Sequence, residues 1–135
     1  MRAPEAALTT PADVLVPAGL GGILTDETID ALPVRAVVGP ANNPLADRSG
    51  ADRLLQRGIV YAPDFVVNAG GVIHLEGIGH GQQWPEIAQR LTGIGDTVRS
   101  VLATARDHGT TPLAAAETLA AQRIDRARAH ATVTA

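Results

Sequence analysis

The chain has 135 residues, a formal net charge of −3, no cysteine and no lysine, all 11 of its Lys+Arg positions being arginine. That length suits one compact domain, burying roughly two-thirds of the surface its unfolded chain exposes, and excludes a second full one. With 45% hydrophobic residues, 19% charged and an isoelectric point near 5.7, the composition can fill a core, argues against disorder and leaves no electrostatic footprint for nucleic acid.

Three aliphatic runs bounded by Gly, Pro or Asn occupy the first half, as in parallel strands buried under helices. The first is Asp13–Pro17, halted by Ala18-Gly19-Leu20-Gly21-Gly22. The second is Val34–Gly39, halted by Pro40-Ala41-Asn42-Asn43-Pro44. The third is Ile59–Pro63, followed by Asp64–Val67 and Asn68-Ala69-Gly70-Gly71. Between them, Thr25–Leu32 opens with an N-cap residue and first-turn acids, and Ala51–Gln56 carries Leu54 and Leu55 ahead of Gly58, so both read as short helices. The order is βαβαβ, the mononucleotide-binding half of a doubly wound sheet, with right-handed crossovers expected.

Beyond Gly71 the pattern changes. Glu76–Gln83 reads as a Gly-rich loop, and Pro85 opens a long amphipathic helix in which Ile87, Leu91, Ile94, Val98, Val101, Leu102 and Ala105 form one stripe. His108-Gly109 closes it, and Thr111-Pro112 restarts a helix over Leu113–Ala129. The final ATVTA is expected to fray. The fold class is therefore α/β: a Rossmann-like parallel sheet, its second half of about three strands, with C-terminal α-helices. Residues 1–75 form a partial nucleotide-binding domain and 76–135 a helical segment packed on it.

Several chemistries are excluded or disfavoured. Without cysteine there are no disulfides, thiolate nucleophiles, zinc fingers or iron–sulfur centres. Without lysine, this chain alone cannot run a mechanism that needs an amine. Ser49 and Ser100, the only serines, stand outside any G-x-S-x-G. His74, Glu76 and His80 are the one candidate metal cluster, but their loop spacing lacks helical i, i+4 placement and a third histidine, so no metal is expected. No apolar run has the length of a bilayer span and MRAPEAALTTP lacks a signal-peptide core. No membrane partner is expected, and the cytoplasm is the expected compartment.

Gly19-Leu20-Gly21-Gly22-Ile23-Leu24 follows a strand and precedes a helix, yet Leu24 fills the sixth position and no acid ends the next strand. It reads more simply as a turn needing positive φ than as a pyrophosphate cradle. The Asn42 and Asn68 loops both stand at carboxyl ends of strands and should face one crevice, where an amide offers a donor and an acceptor. The competing reading is that Asn and Gly there serve only turns and caps.

The segments DVLVPAGLGG (13–22), VVGPANNPLAD (37–47), RGIVYAPDFVVNAGGVIHL (57–75), GDTVRSV (95–101) and AAAETLAAQRI (114–124) closely resemble the C-terminal portion of the leucine, valine and phenylalanine dehydrogenases, relatives of glutamate dehydrogenase. The resemblance covers nearly the whole chain, and the NAGGVIHL segment with the loop to Trp84 looks most like the phenylalanine enzymes. It implies an oxidoreductase of amino-acid metabolism that uses NAD to deaminate an apolar L-amino acid to its 2-oxo acid. By resemblance, Ala18, Gly19, Pro40, Ala41 and Asn42 are cofactor-side residues, Asn68 bonds the substrate's amino and carboxyl end, and Val98 and Val101 wall the side-chain pocket. An apolar wall rewards an apolar substrate. The resemblance further implies a homo-oligomer. It also implies that the family's lysine-bearing N-terminal domain, catalytic aspartate and true phosphate-binding glycines lie outside these residues, so that no catalytic residue is carried here and a partner or further chain supplies them.

Overall fold

The computed structural model describes residue 6 and residues 8–133, the last three as backbone. Three parallel strands, β1 (Val14–Leu15), β2 (Ala36–Val37) and β3 (Val60–Tyr61), form one sheet in the order β1-β2-β3. Val14, Ala36 and Val60 stand in one register row and Leu15, Val37 and Tyr61 in the next. These strands are shorter than the aliphatic runs that predict them, because each run meets a proline or glycine that cannot continue the ladder. Pairing nonetheless spreads past them: Val38 N–H donates to Leu15 O (3.0 Å), Ala62 N–H to Val37 O (3.0 Å) and Ala41 N–H to Pro17 O (3.0 Å).

Helix α1 (Asp26–Ala31) follows Thr25, whose Oγ1 accepts from Thr28 N–H at 3.2 Å. It stops before Pro33, which disfavours helical backbone at Leu32. Helix α2 (Gly50–Gln56) lies between β2 and β3, and Arg57 reaches back to the Leu32 carbonyl (3.0 Å) at the end of α1. Both helices cover one sheet face. There Leu24, Ile29, Leu32, Val37, Ala51, Leu54, Ile59 and Tyr61 close the main core, joined by Leu113 from the C-terminal helix.

The second half is helical: α3 (Asp64–Val67), α4 (Gly70–Gly79), α5 (Trp84–His108) and α6 (Pro112–Val133). Gln83 and Glu86 form a capping box at the start of α5, and Gly109 ends it at φ 63°. At α6, Thr111 Oγ1 accepts from Ala114 N–H (3.1 Å). The expectation of a loop over Glu76–Gln83 is corrected, since α4 runs through Gly79. The glycines do not break this helix because Gly77 is where it meets α5: a Cβ there would stand 2.7 Å from Ile87 Cγ1. Only His80–Gln83 remain as the turn. The last helix continues through Val133, three residues into ATVTA, while Thr134 and Ala135 lie outside the described residues. A second core, of Val101, Ala105, Ala115 and Ala116 with Val66 and Leu119, seals α5 against α6 and α3. Among the described residues no helix is long and apolar enough to cross a membrane.

Candidate functional site

The site lies at the carboxyl ends of β1, β2 and β3, where three loops meet. The first two are laced by backbone bonds: Gly22 N–H donates to Asn43 O (2.8 Å), Leu24 N–H to Pro44 O (2.9 Å) and Ala46 N–H to Leu24 O (3.1 Å). Close approach explains the glycines. A Cβ at Gly39 would meet Pro17 O at 2.3 Å, and one at Gly21 would meet the Asn42 and Asn43 carbonyl oxygens at 2.8 Å. By contrast nothing lies within 4 Å of a Cβ at Gly19, so that residue borders open space. Gly22, at φ 73°, supplies the positive-φ turn that the sequence anticipates.

The third loop joins through side chains. Asn68 Nδ2 donates to Asn42 Oδ1 at 2.6 Å and approaches Pro40 O at 3.5 Å. Thus two asparagines 26 residues apart form one amide pair. Their contact uses one donor and one acceptor, which leaves Asn42 Nδ2 to donate and Asn68 Oδ1 to accept. Beneath them Asp64 Oδ2 accepts from Asn43 N–H (2.9 Å), and Asp64 Oδ1 accepts from the Tyr61 hydroxyl (3.1 Å). Burial, and then the Asp64 charge, push the Tyr61 phenol above its ordinary range, so it stays a neutral donor.

Of the residues singled out from sequence, Ala18, Gly19, Pro40 and Asn42 are exposed on these loops, Ala41 is buried beneath them and Asn68 is half-buried. The structure brings Pro40, Asn42 and Asn68 together. It places Val98 and Val101 on α5, Val98 half-buried and Val101 in the seam with Ala105, Ala115 and Ala116. An apolar groove of about 570 Å³ opens between α3, α4, α5 and α6, with Val66, Ala69, Ile73, Ile94 and Leu119 among its walls. Sequence reasoning missed Asp64 and Tyr61. The sequence offers only an acid directly after Pro63, whose own side chain cannot cap the short helix that follows.

His74, Glu76 and His80 are placed differently from the expectation. Glu76 and His80 stand four apart along α4 and its end, with His80 Nδ1 3.3 Å from Glu76 Oε1, and Glu76 also pairs with Arg90. His74 meets the Trp84 ring edge to face at 6.1 Å. Among the described residues no group of three acidic or histidine side chains could hold a metal ion.

The family model described as Glutamate/Leucine/Phenylalanine/Valine dehydrogenase matches residues 1–131. The chain belongs to this family. A valine dehydrogenase from Streptomyces albus is 44% identical over 117 residues, which are 87% of this chain and 32% of that protein. Two solved structures share the fold. L-tryptophan dehydrogenase from Nostoc punctiforme has a TM-score of 0.87 and 32% identity over 93% of this chain and 38% of that one. A hetero-hexameric glutamate dehydrogenase from Thermus thermophilus has a TM-score of 0.75 and 30% identity over 93% of this chain and 32% of that one. The chain thus spans about a third of the length of the relatives it matches.

Proposed function

We propose that this chain carries the nicotinamide side and part of the substrate side of an NAD-dependent L-amino-acid dehydrogenase acting on an apolar amino acid such as Phe, Val or Leu. The observation that carries the reading is the Asn42–Asn68 amide pair at the carboxyl ends of parallel strands, where a doubly wound sheet binds its ligand. The residues fit a nicotinamide nucleotide. Gly19 borders open space, and Asn42 stands exposed with an amide on the loop that the buried Ala41 underlies. NAD, when bound, supplies the hydride acceptor for oxidation at the substrate Cα.

In this reading Ala18, Gly19, Pro40, Ala41 and Asn42 hold the nicotinamide ribose end. Asn68 Oδ1 accepts from the substrate amino group, and Asn42 Nδ2 remains free to donate. Val98, half-buried, is the valine of the pair with surface left for an apolar side chain, and Val101 stands one turn on in the seam between α5 and α6. No lysine is present to bind the substrate carboxylate or to assist deprotonation, so the isolated chain does not turn over amino acids. NADH formation measured with L-Phe, L-Leu and L-Val at alkaline pH is expected to stay at the blank. A rate well above the blank contradicts that half of the reading, and calorimetry without heat at millimolar NAD contradicts the other.

A second reading makes the chain a non-catalytic module or one half of a split dehydrogenase that docks on a partner. It is supported by the sheet itself: among the described residues β1 is an edge strand paired only with β2, and Val14 (45% exposed), Val16 (60%) and Val60 (45%) leave an aliphatic face uncovered. Assembly into an oligomer and a cytoplasmic location belong to the same proposal.

A further inference from the structure

We infer that α3 is a two-point clamp and that Asp64, at its start, is the positioning residue for the loop carrying Asn42. This inference rests on the reading of Asn42 and Asn68 as the ligand-facing pair. An acid in the first turn of a helix ordinarily serves that helix's own free N–H groups. Asp64 instead sends Oδ2 across 21 residues to the Asn43 N–H and gives Oδ1 to the Tyr61 hydroxyl.

The residue it grips is unusual. Asn43, at φ 49°, is the one non-glycine with positive φ among the described residues, a left-handed conformation that is uncommon for side-chain-bearing residues although asparagine adopts it more readily than most. Its N–H is taken by Asp64 and its carbonyl by Gly22 N–H at 2.8 Å, so the residue is held from both sides. Four residues after Asp64, Asn68 caps the other end of α3, its N–H donating to Asp64 O at 2.8 Å, and its side chain takes Asn42. One short helix therefore grips two consecutive residues of the loop, Asn43 from its first residue and Asn42 from its cap. Tyr61, a buried phenol that stays protonated, prevents the Asp64 carboxylate from rotating away.

The test uses the whole 135-residue chain, isotope-labelled, by NMR. In the wild type a through-hydrogen-bond coupling joins the Asn43 amide nitrogen to Asp64 Cγ. Asp64→Ala abolishes it, and the side-chain amide signals of Asn42 and Asn68 both move. Asp64→Asn restores those signals, because its carbonyl accepts from Asn43 and its amide donates to Tyr61. Should Asp64→Ala fail to fold, Asp64→Glu keeps the charge but displaces the carboxylate by one methylene, and it moves the same two signals. Absence of the coupling, unmoved Asn42 and Asn68 signals in Asp64→Ala or Asp64→Glu, or an Asp64→Asn spectrum as disturbed as that of Asp64→Ala, overturns the clamp. Added NADH separates the two claims. Where it shifts the wild-type Asn42 amide, Asp64→Ala weakens binding about fivefold, the net worth of one ordinary hydrogen bond, and Asp64→Asn stays within about twofold. Where it shifts nothing in the wild type, the nucleotide reading falls, while the coupling and the variant spectra still decide the clamp.

Discussion

The two faces of the three-stranded sheet have opposite fates, although they are built from alternate residues of the same strands. On one face Val37 is 0% exposed and Tyr61 2%, closed over by α1 and α2. On the other, Val14, Val16, Val38 and Val60 keep between 36% and 60% of their surface exposed. The second face has the composition of a core without its covering. The contrast teaches that packed and exposed residues alternate along the same strands, separated only by the pleat.

Four substitutions or titrations probe that contrast, in falling order of effect. Leu54→Ala, in α2 over the closed face and 0% exposed, is expected to cost about 2–5 kcal/mol in chemical denaturation. Gly39→Ala drives a methyl group into the Pro17 backbone at the carboxyl end of the sheet and is expected to cost about 1–3 kcal/mol, with the shift changes in NMR spectra concentrated around Ala41 and Asn42. The third prediction concerns alkali. Tyr61 has its folded pKa raised above the ordinary 10.0, so the fold favours the neutral phenol. That stabilisation is complete below pH 10 and is lost as pH rises through the folded value. As the only tyrosine, it reports directly: phenolate absorbance is expected to appear together with unfolding, and Tyr61→Phe removes the alkaline fall in stability. Smallest is Val14→Thr or Val60→Thr on the open face, expected to change the unfolding free energy by less than about 0.5 kcal/mol. A cost as large as that of Leu54→Ala would show that the open face is covered in solution.

Much of this arrangement is legible in the residues. Aliphatic runs ending at Pro17, Gly39 and Pro63 mark three parallel strands, and asparagines beyond the second and third mark the crevice, because position at a strand's carboxyl end decides which loops meet. Helix α4 is not legible, since its glycines imitate a loop. Only the fit of Gly77 against Ile87, ten residues away, makes them compatible with a helix. Asp64 and Tyr61 were missed for a related reason: what gives them a role is a bond to Asn43 across the fold, and no local spacing encodes it. Val101 is the converse case, because its place on the apolar stripe of α5 already marks a packed position, which α6 supplies.

The convergence of the Asn42 and Asn68 loops into a nucleotide-facing site is most directly tested by titrating the labelled chain with NADH and following every amide. The account predicts that shifts concentrate at Ala18, Gly19, Ala41, Asn42 and Asn68, with α6 unmoved. Shifts confined to α6, or none at millimolar NADH, would contradict it.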